Sequence, residues 1–266
     1  MTGSSAEKEQ LAEGTLISHL VELRQRLMKS VIAVVLIFLA LVPFVQPIFN
    51  FVSAPLKDVL PEGSNLIVTG IPAPFLTPFK TTMFVALFLA MPVVLYQAWR
   101  FIAPGLYRSE RRFAFPLLIS SILLFYGGVA FAYFVVFKMV FTFFVSVTPE
   151  NVVNMPDIDQ YLSFVLRIFF AFGLAFEVPI ATFMLVWSRL VKLQTLAKAR
   201  PYVFLGAFVV GMLMTPPDVF SQTFLAIPIY ILYESGLILS RVLLRDQLAA
   251  DAAAAAEEAA EEEEDE

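Results

Sequence analysis

The sequence predicts an all-α polytopic membrane protein with six transmembrane helices and both termini on one side. Three observations lead there. Hydrophobic residues make up 59% of the 266 and charged residues only 15%, where a soluble domain carries about a quarter charged. The apolar residues are gathered into runs long enough to cross a bilayer. Lys and Arg, finally, concentrate in alternate connections between those runs. The net charge of −5 hides this last pattern: ten of the 23 acidic residues lie in 246–266, leaving 13 acids against 18 basic residues elsewhere. With no cysteine and a single histidine, a disulfide framework, a thiolate metal site and a histidine cluster are excluded.

A hydrocarbon core of roughly 30 Å needs about 20 residues of helix. Residues 1–15 form a polar tail; the stretch TGSSAEKEQLAEG has no charged-then-apolar pattern with a small-residue cleavage site, so no removable signal peptide is expected. In TLISHLVELRQRLMKS, Leu16, Leu20, Leu23 and Leu27 fall on one stripe, predicting an interfacial amphipathic helix ahead of the first span. Spans follow at 30–47, 78–99, 113–137 and 161–187. Between the first two, residues 49–77 carry Pro55, Pro61, Pro72 and Pro74 among apolar residues, which predicts an ordered cap near the interface. The apolar stretch 201–240 is interrupted by MTPPDVFSQ, where consecutive prolines and an acid cannot continue a lipid-facing helix. It splits into short fifth and sixth spans, 202–215 and 222–240. The six-helix domain thus covers 16–245, and 246–266 reads as an acidic low-complexity extension.

Cation counts set the sides. Lys8, Arg24, Arg26 and Lys29 precede the first span; Arg100, Arg108, Arg111 and Arg112 follow the second. Arg189, Lys192, Lys198 and Arg200 follow the fourth, and Arg241 and Arg245 the sixth. These segments are expected to be cytoplasmic. The opposite connections hold Lys57, Lys80 and Lys138 among Asp58, Glu62, Glu150, Asp157 and Asp159.

Several polar residues need a reason. Glu22 sits three residues after His19 and four before Arg26, within reach of both on a helix. It is either half of a helix-stabilising pair or an anionic site for a basic ligand. Glu110, in FIAPGLYRSERR, lies among Arg108, Arg111 and Arg112. An exposed pair there contributes about 0–1 kcal/mol, whereas a carboxylate accepts an incoming guanidinium in bidentate fashion. Glu177, in AFGLAFEVPI, is placed at membrane depth, where a charge costs at least about 2.5–3.5 kcal/mol. It must face protein or water, as a proton relay, a pocket or partner contact, or a neutral hydrogen-bonded acid. Glu234 raises the same question nearer the cytoplasm. Asp218 caps or precedes the helix after Pro217, with the Gln222 amide at its head, and the pair Gly127–Gly128 permits close packing or a bend. No phosphate loop, nucleophile motif or metal spacing supports an enzyme, and no inverted repeat of the kind found in transporters is visible.

Over about residues 16–241, the segments SHLVELRQRL, VSAPL, FIAPGLYRSERR, AFGLAFEVPI, RPYVFLGAFVVGMLMTPPDVFSQ and LAIPIYILYE closely resemble, in order, the TatC family, the receptor subunits of the twin-arginine protein translocase. That resemblance implies a glove-shaped six-helix bundle in the bacterial inner membrane with both termini cytoplasmic. It also implies a cytoplasmic groove that reads the paired arginines of signal peptides on folded cargo. Glu22 and Glu110 match its two carboxylates, with Phe101, Pro104, Arg108 and, beside Glu22, His19 shaping the site. Pro55 matches a structurally sensitive position of the first outer loop, and Glu177 a polar residue of the concave face. The last two spans, with Gln222, Asp218 and Glu234, resemble the surface used by the single-span subunits TatB and TatA, and self-association in the receptor complex is expected. Energy then comes from the proton motive force; no cofactor, metal or nucleic-acid partner is expected. Two other readings remain open at this stage: a proton-coupled secondary transporter with Glu177 as relay, and an assembly subunit that tolerates neutral replacement of Glu22 and Glu110.

Overall fold

A computed structural model of the chain describes residues 3–59, 67–102, 111–147, 149, 155–215, 218–251 and 253. Among them the secondary structure is helical: α1 (Gly3–Leu41), α2 (Val45–Val59), α3 (Ala73–Ile102), α4 (Arg111–Phe131), α5 (Lys138–Ser146), α6 (Ile158–Ala175), α7 (Val178–Trp187), α8 (Leu193–Lys198), α9 (Arg200–Met214) and α10 (Val219–Leu243). Five helical stretches are long and apolar enough to cross a membrane: Leu20–Ala54, Ala73–Phe101, Phe115–Ser146, Ile158–Trp187 and Val219–Leu243. The apolar helix Arg200–Met214 is shorter, reaching about 22 Å at 1.5 Å per residue.

Three of the sequence-derived elements are redrawn. The amphipathic segment around Glu22 is not a separate interfacial helix; α1 runs unbroken from it into the first span, because no Gly or Pro lies between Thr15 and Leu41 to stop it. The fourth span is two helices, parted at Phe176–Glu177. Pro179 has no N–H to donate, and the chain takes a tighter turn there, with Glu177 N donating to Leu174 O at 3.0 Å. The sixth is not short: α10 has 25 residues, since Asp218 caps it at its start and Pro228 is absorbed within it.

The chain divides into two compact units, Met1–Leu123 with Thr148–Leu166 and Leu124–Val147 with Arg167–Glu266. In the first, α1 and α2 pack on α3, whose Ala86, Ala90 and Met91 are buried. The indole of Trp99 donates to Ser121 Oγ at 3.0 Å in the interior, which satisfies the one polar atom of a large buried ring. The hydroxyls of Thr81 and Thr82, both fully buried, donate back to Thr77 O and Pro78 O at 2.9 and 2.8 Å. Buried polar groups are thereby paired without leaving their own helix.

A clamp joins two distant connections of this unit. Ile67 and Asp157 form a single parallel β bridge, with Ile67 N donating to Pro156 O and Ile158 N to Ile67 O. Asp157 Oδ2 accepts from Thr69 N and Oγ1 at 2.8 and 2.7 Å, and its Oδ1 from Asp159 N and Gln160 N at 2.9 and 3.0 Å. The same carboxylate therefore caps α6 and holds the 67–69 segment. Beside it, Asp159 Oδ1 accepts from Thr77 Oγ1 and Lys80 Nζ, both at 2.8 Å. The Thr69 hydroxyl, followed by the surrounding backbone N–H groups, holds the Asp157 carboxyl at about 2, below its ordinary 3.8. A lowered folded-state value means the clamp is at full strength above pH 4 and is lost as pH falls from about 4 to about 2. Amide exchange at Ile67, Thr69 and Ile158 is expected to accelerate across that window in the wild type. Asp157→Asn is expected to exchange fast at neutral pH and to show no acid transition there; an unchanged acid transition in the variant would assign it to another group.

In the second unit, α7 and α9 pack on α10. Between Phe131 and Lys138 the helix widens into a π-helical turn, Ala132–Phe137, flanked by close ring pairs including Tyr133–Phe169, Phe131–Phe172 and Phe131–Phe176. Glycines let the backbones meet. A Cβ on Gly128 would lie 2.4 Å from the Phe172 carbonyl oxygen, and one on Gly236 would lie 2.9 Å from Pro179 Cα. The expectation of close packing at Gly127–Gly128 is met at Gly128 alone, since nothing lies within 4 Å of a Cβ on Gly127.

Candidate functional site

Glu22 lies on the amphipathic part of α1, where the four-residue step to Arg26 brings the two side chains together. Arg26 donates from Nε to Glu22 Oε1 at 3.0 Å and from Nη2 to the same oxygen. The arginine is the more enclosed partner, its side chain 15% exposed against 36% for that of the glutamate. Ser30 Oγ donates to Arg26 O one turn later. The ion-pair reading of Glu22 is thus realised, and the pairing shows its carboxylate matched to a guanidinium. His19 is part of the same helix, with its side chain outside the described residues. Phe101 is the penultimate residue of α3, half-buried. Pro104, Arg108 and Glu110 lie outside the described residues. Pro55 is within α2, its side chain likewise outside them.

A second set of polar groups belongs to the other unit. Glu177 occupies the break between α6 and α7, half-buried, with its Oε1 enclosed by protein. Its backbone carbonyl accepts from Ala181 N at 2.9 Å, so the chain re-enters a helix immediately after it. Asp218 caps α10, accepting from Ser221 N at 2.7 Å on Oδ1, as an acid before a helix should. Gln222 Nε2 donates to Phe208 O at 2.8 Å, tying α10 to α9. Glu234 does the same lower down: Arg200 Nε and Nη2 reach its Oε1 and Oε2 at 2.7 and 3.0 Å, and Tyr230 Oη reaches Oε1 at 2.9 Å. In addition, Tyr233 Oη donates to Leu196 O at 2.6 Å.

Sequence reasoning flagged Glu234 yet missed Arg200 as its partner, counting that arginine only toward orientation. Their separation of 34 residues carries no helical period. The signal available was the rule that an acid within a span needs a named partner, with Arg200 the cation at the head of the neighbouring span. Among the described residues, no group of three metal-ligating side chains converges.

The sequence pattern of the family described as Sec-independent protein translocase protein (TatC) matches residues 18–228. The chain belongs to the TatC family. It is 60% identical over 236 residues to the Sec-independent protein translocase protein TatC of Azotobacter chroococcum, covering 88% of this chain and 92% of that one. Identity to the TatC of Escherichia coli K12 is 57% over 226 residues, 85% of this chain and 88% of the other. Among solved structures, a twin arginine translocase receptor, TatC, superposes with a TM-score of 0.77 at 38% identity, covering 84% of this chain and 98% of that one. TatC proteins are components of a protein translocase rather than enzymes, and this one is a multi-pass membrane protein.

Proposed function

We propose that the chain is the signal-peptide receptor of a twin-arginine translocase in the bacterial inner membrane, both termini cytoplasmic. It binds the paired arginines of folded cargo through Glu22 and Glu110, with His19, Phe101, Pro104 and Arg108 around them. It then nucleates assembly with TatB and TatA through Glu177, Asp218, Gln222 and Glu234, and the proton motive force drives export. The observation that carries this reading is the likeness, over 84% of the chain, to a solved protein described as the twin arginine translocase receptor. Chemistry at Glu22 supports it, because the carboxylate already accepts two guanidinium N–H groups from Arg26 while the glutamate side chain remains 36% exposed. A signal-peptide arginine offers the same fork, and lysine does not.

The test is binding of a twin-arginine peptide to membrane-inserted protein, compared with a paired-lysine version. Removing one charge-assisted acceptor forfeits about 1.5 kcal/mol, so Glu22→Ala and Glu110→Ala are each expected to weaken the arginine peptide about tenfold with little change for the lysine peptide. Arg26→Ala supplies the control: it breaks the same helix pair but leaves Glu22 to bind. Equal losses in Glu22→Ala and Arg26→Ala would reduce Glu22 to a helix support.

A further inference from the structure

In the second unit a cavity of about 630 Å³ opens where α7 and α10 end, walled by the connection into α8 and by the residues after α10. Its sides are apolar, from Val186, Val191, Leu193 and Leu248, and its lining also holds three cations, Arg189, Lys192 and Arg241, and one acid, Asp251. Arg189 pairs with Asp251 at 3.0 Å, both side chains well exposed at 59 and 43%; a pair so exposed is screened and readily exchanged. Neither Lys192 nor Arg241 has an ion-pair partner among the described residues. The lining carries two more positive charges than negative.

Two further observations point to a ligand. Arg189 adopts a positive φ of 57°, the only non-glycine residue among those described to do so. Glycine or asparagine fits that conformation at less cost, and here a long cation of the cavity lining occupies it. Apolar side chains also follow the lining cations in sequence: Leu190 after Arg189, and Val242 and Leu243 after Arg241, are 72, 67 and 62% exposed.

We propose that this cavity binds an anionic phospholipid, its phosphate held by Arg189, Lys192 and Arg241 and its acyl chain laid on Val186, Val191, Leu193 and Leu248. Basic pockets at the ends of spans select such headgroups, and the apolar wall gives no advantage to a soluble phosphate. A zwitterionic lipid would bring a cation into a site already positive. Asp251 is the built-in competitor, occupying Arg189 when lipid is absent. The segment that carries it is anchored by Gln247 Nε2 donating to Trp187 O at 3.3 Å. The site is separate from the recognition of signal peptides and does not depend on it.

Trp187 follows the lining residue Val186 in sequence, and with Trp99 replaced by Phe in every protein compared it is the one tryptophan left to report on the cavity. In phosphatidylcholine vesicles carrying the full chain, brominated phosphatidylglycerol is expected to quench tryptophan fluorescence more strongly than brominated phosphatidylcholine at equal mole fraction. Each surface cation is worth about fivefold in attraction for an anionic lipid, so Lys192→Gln with Arg241→Gln is expected to bring the two lipids close to parity. Asp251→Asn is expected to increase the preference for phosphatidylglycerol about fivefold, a gain that misfolding cannot produce. Equal quenching by the two lipids in the wild type, or an unchanged preference in both the double variant and Asp251→Asn, overturns the proposal. Displacement of the brominated phosphatidylglycerol by glycerol phosphate also overturns it, assigning the cavity to a soluble anion instead.

Discussion

Gly128→Val is expected to cost about 3 kcal/mol of stability, while Gly127→Ala, one residue earlier, is expected to leave the protein equally stable or stabilise it by up to about 1 kcal/mol. The first figure sits at the upper end of overpacking costs because the obstacle is main chain. A Cβ at Gly128 meets the Phe172 carbonyl oxygen at 2.4 Å, the Phe172 carbonyl carbon at 3.0 Å and the Phe176 ring at 2.9 Å, and backbone cannot rotate aside as a side chain can. Phe172 is fully buried, so α6 would have to move bodily. At Gly127, by contrast, a methyl group enters open space, and alanine relieves the entropic penalty that glycine imposes on a helix interior. Gly173→Ala falls between, since its Cβ strikes the Phe125 ring at 2.5 Å, a side chain that can yield although it is itself buried. Thermal unfolding in detergent, followed by circular dichroism, orders the three. If Gly127→Ala and Gly128→Val shift the midpoint equally, close approach of α4 to α6 is not what the glycine provides.

These residues show which features a sequence exposes. Spans were legible because a backbone in lipid must satisfy its own hydrogen bonds, so a long apolar run admits only a helix. The i,i+4 pair Glu22–Arg26 and the Asp218 cap were legible for a related reason: helix geometry fixes both at a known offset. What stayed hidden depends on how helices are rotated against one another. Nothing in the spacing of Thr69 and Asp157, 88 residues apart, or of Gln222 and Phe208 predicts that they meet. The break at Phe176–Glu177 was visible as Glu-Val-Pro, yet the hydropathy of the flanking residues outweighed it and the two helices were read as one. For α10 only the ends differ: the expected 222–240 becomes Val219–Leu243, the Asp218 cap starting the helix earlier. Of the carboxylates expected to read a signal peptide, Glu22 came with its geometry, since one helix carries it and its partner. Glu110 lies outside the described residues.

Breaking the Arg200–Glu234 pair is expected to destabilise the protein. Solvent screens the pair and keeps the loss below that of a fully buried one, since the Arg200 side chain is 41% exposed and that of Glu234 26%. The geometry is a two-pronged fork with Tyr230 as third donor, so Arg200→Lys, which keeps the charge but loses the fork, is expected to recover less than half of the effect. The double variant Arg200→Ala/Glu234→Ala should be more stable than the sum of the single losses implies, because it leaves no unpaired charge behind. Chemical denaturation of the four proteins of the cycle supplies the measurement. A role for Glu234 in contacting another subunit makes a different demand: the isolated protein would tolerate Glu234→Ala with no coupling to Arg200, and the defect would emerge only on assembly. The fork engages both carboxylate oxygens within the chain, so a partner contact at this position competes with Arg200 or shares the carboxylate with it, and the coupling in the cycle separates the two cases.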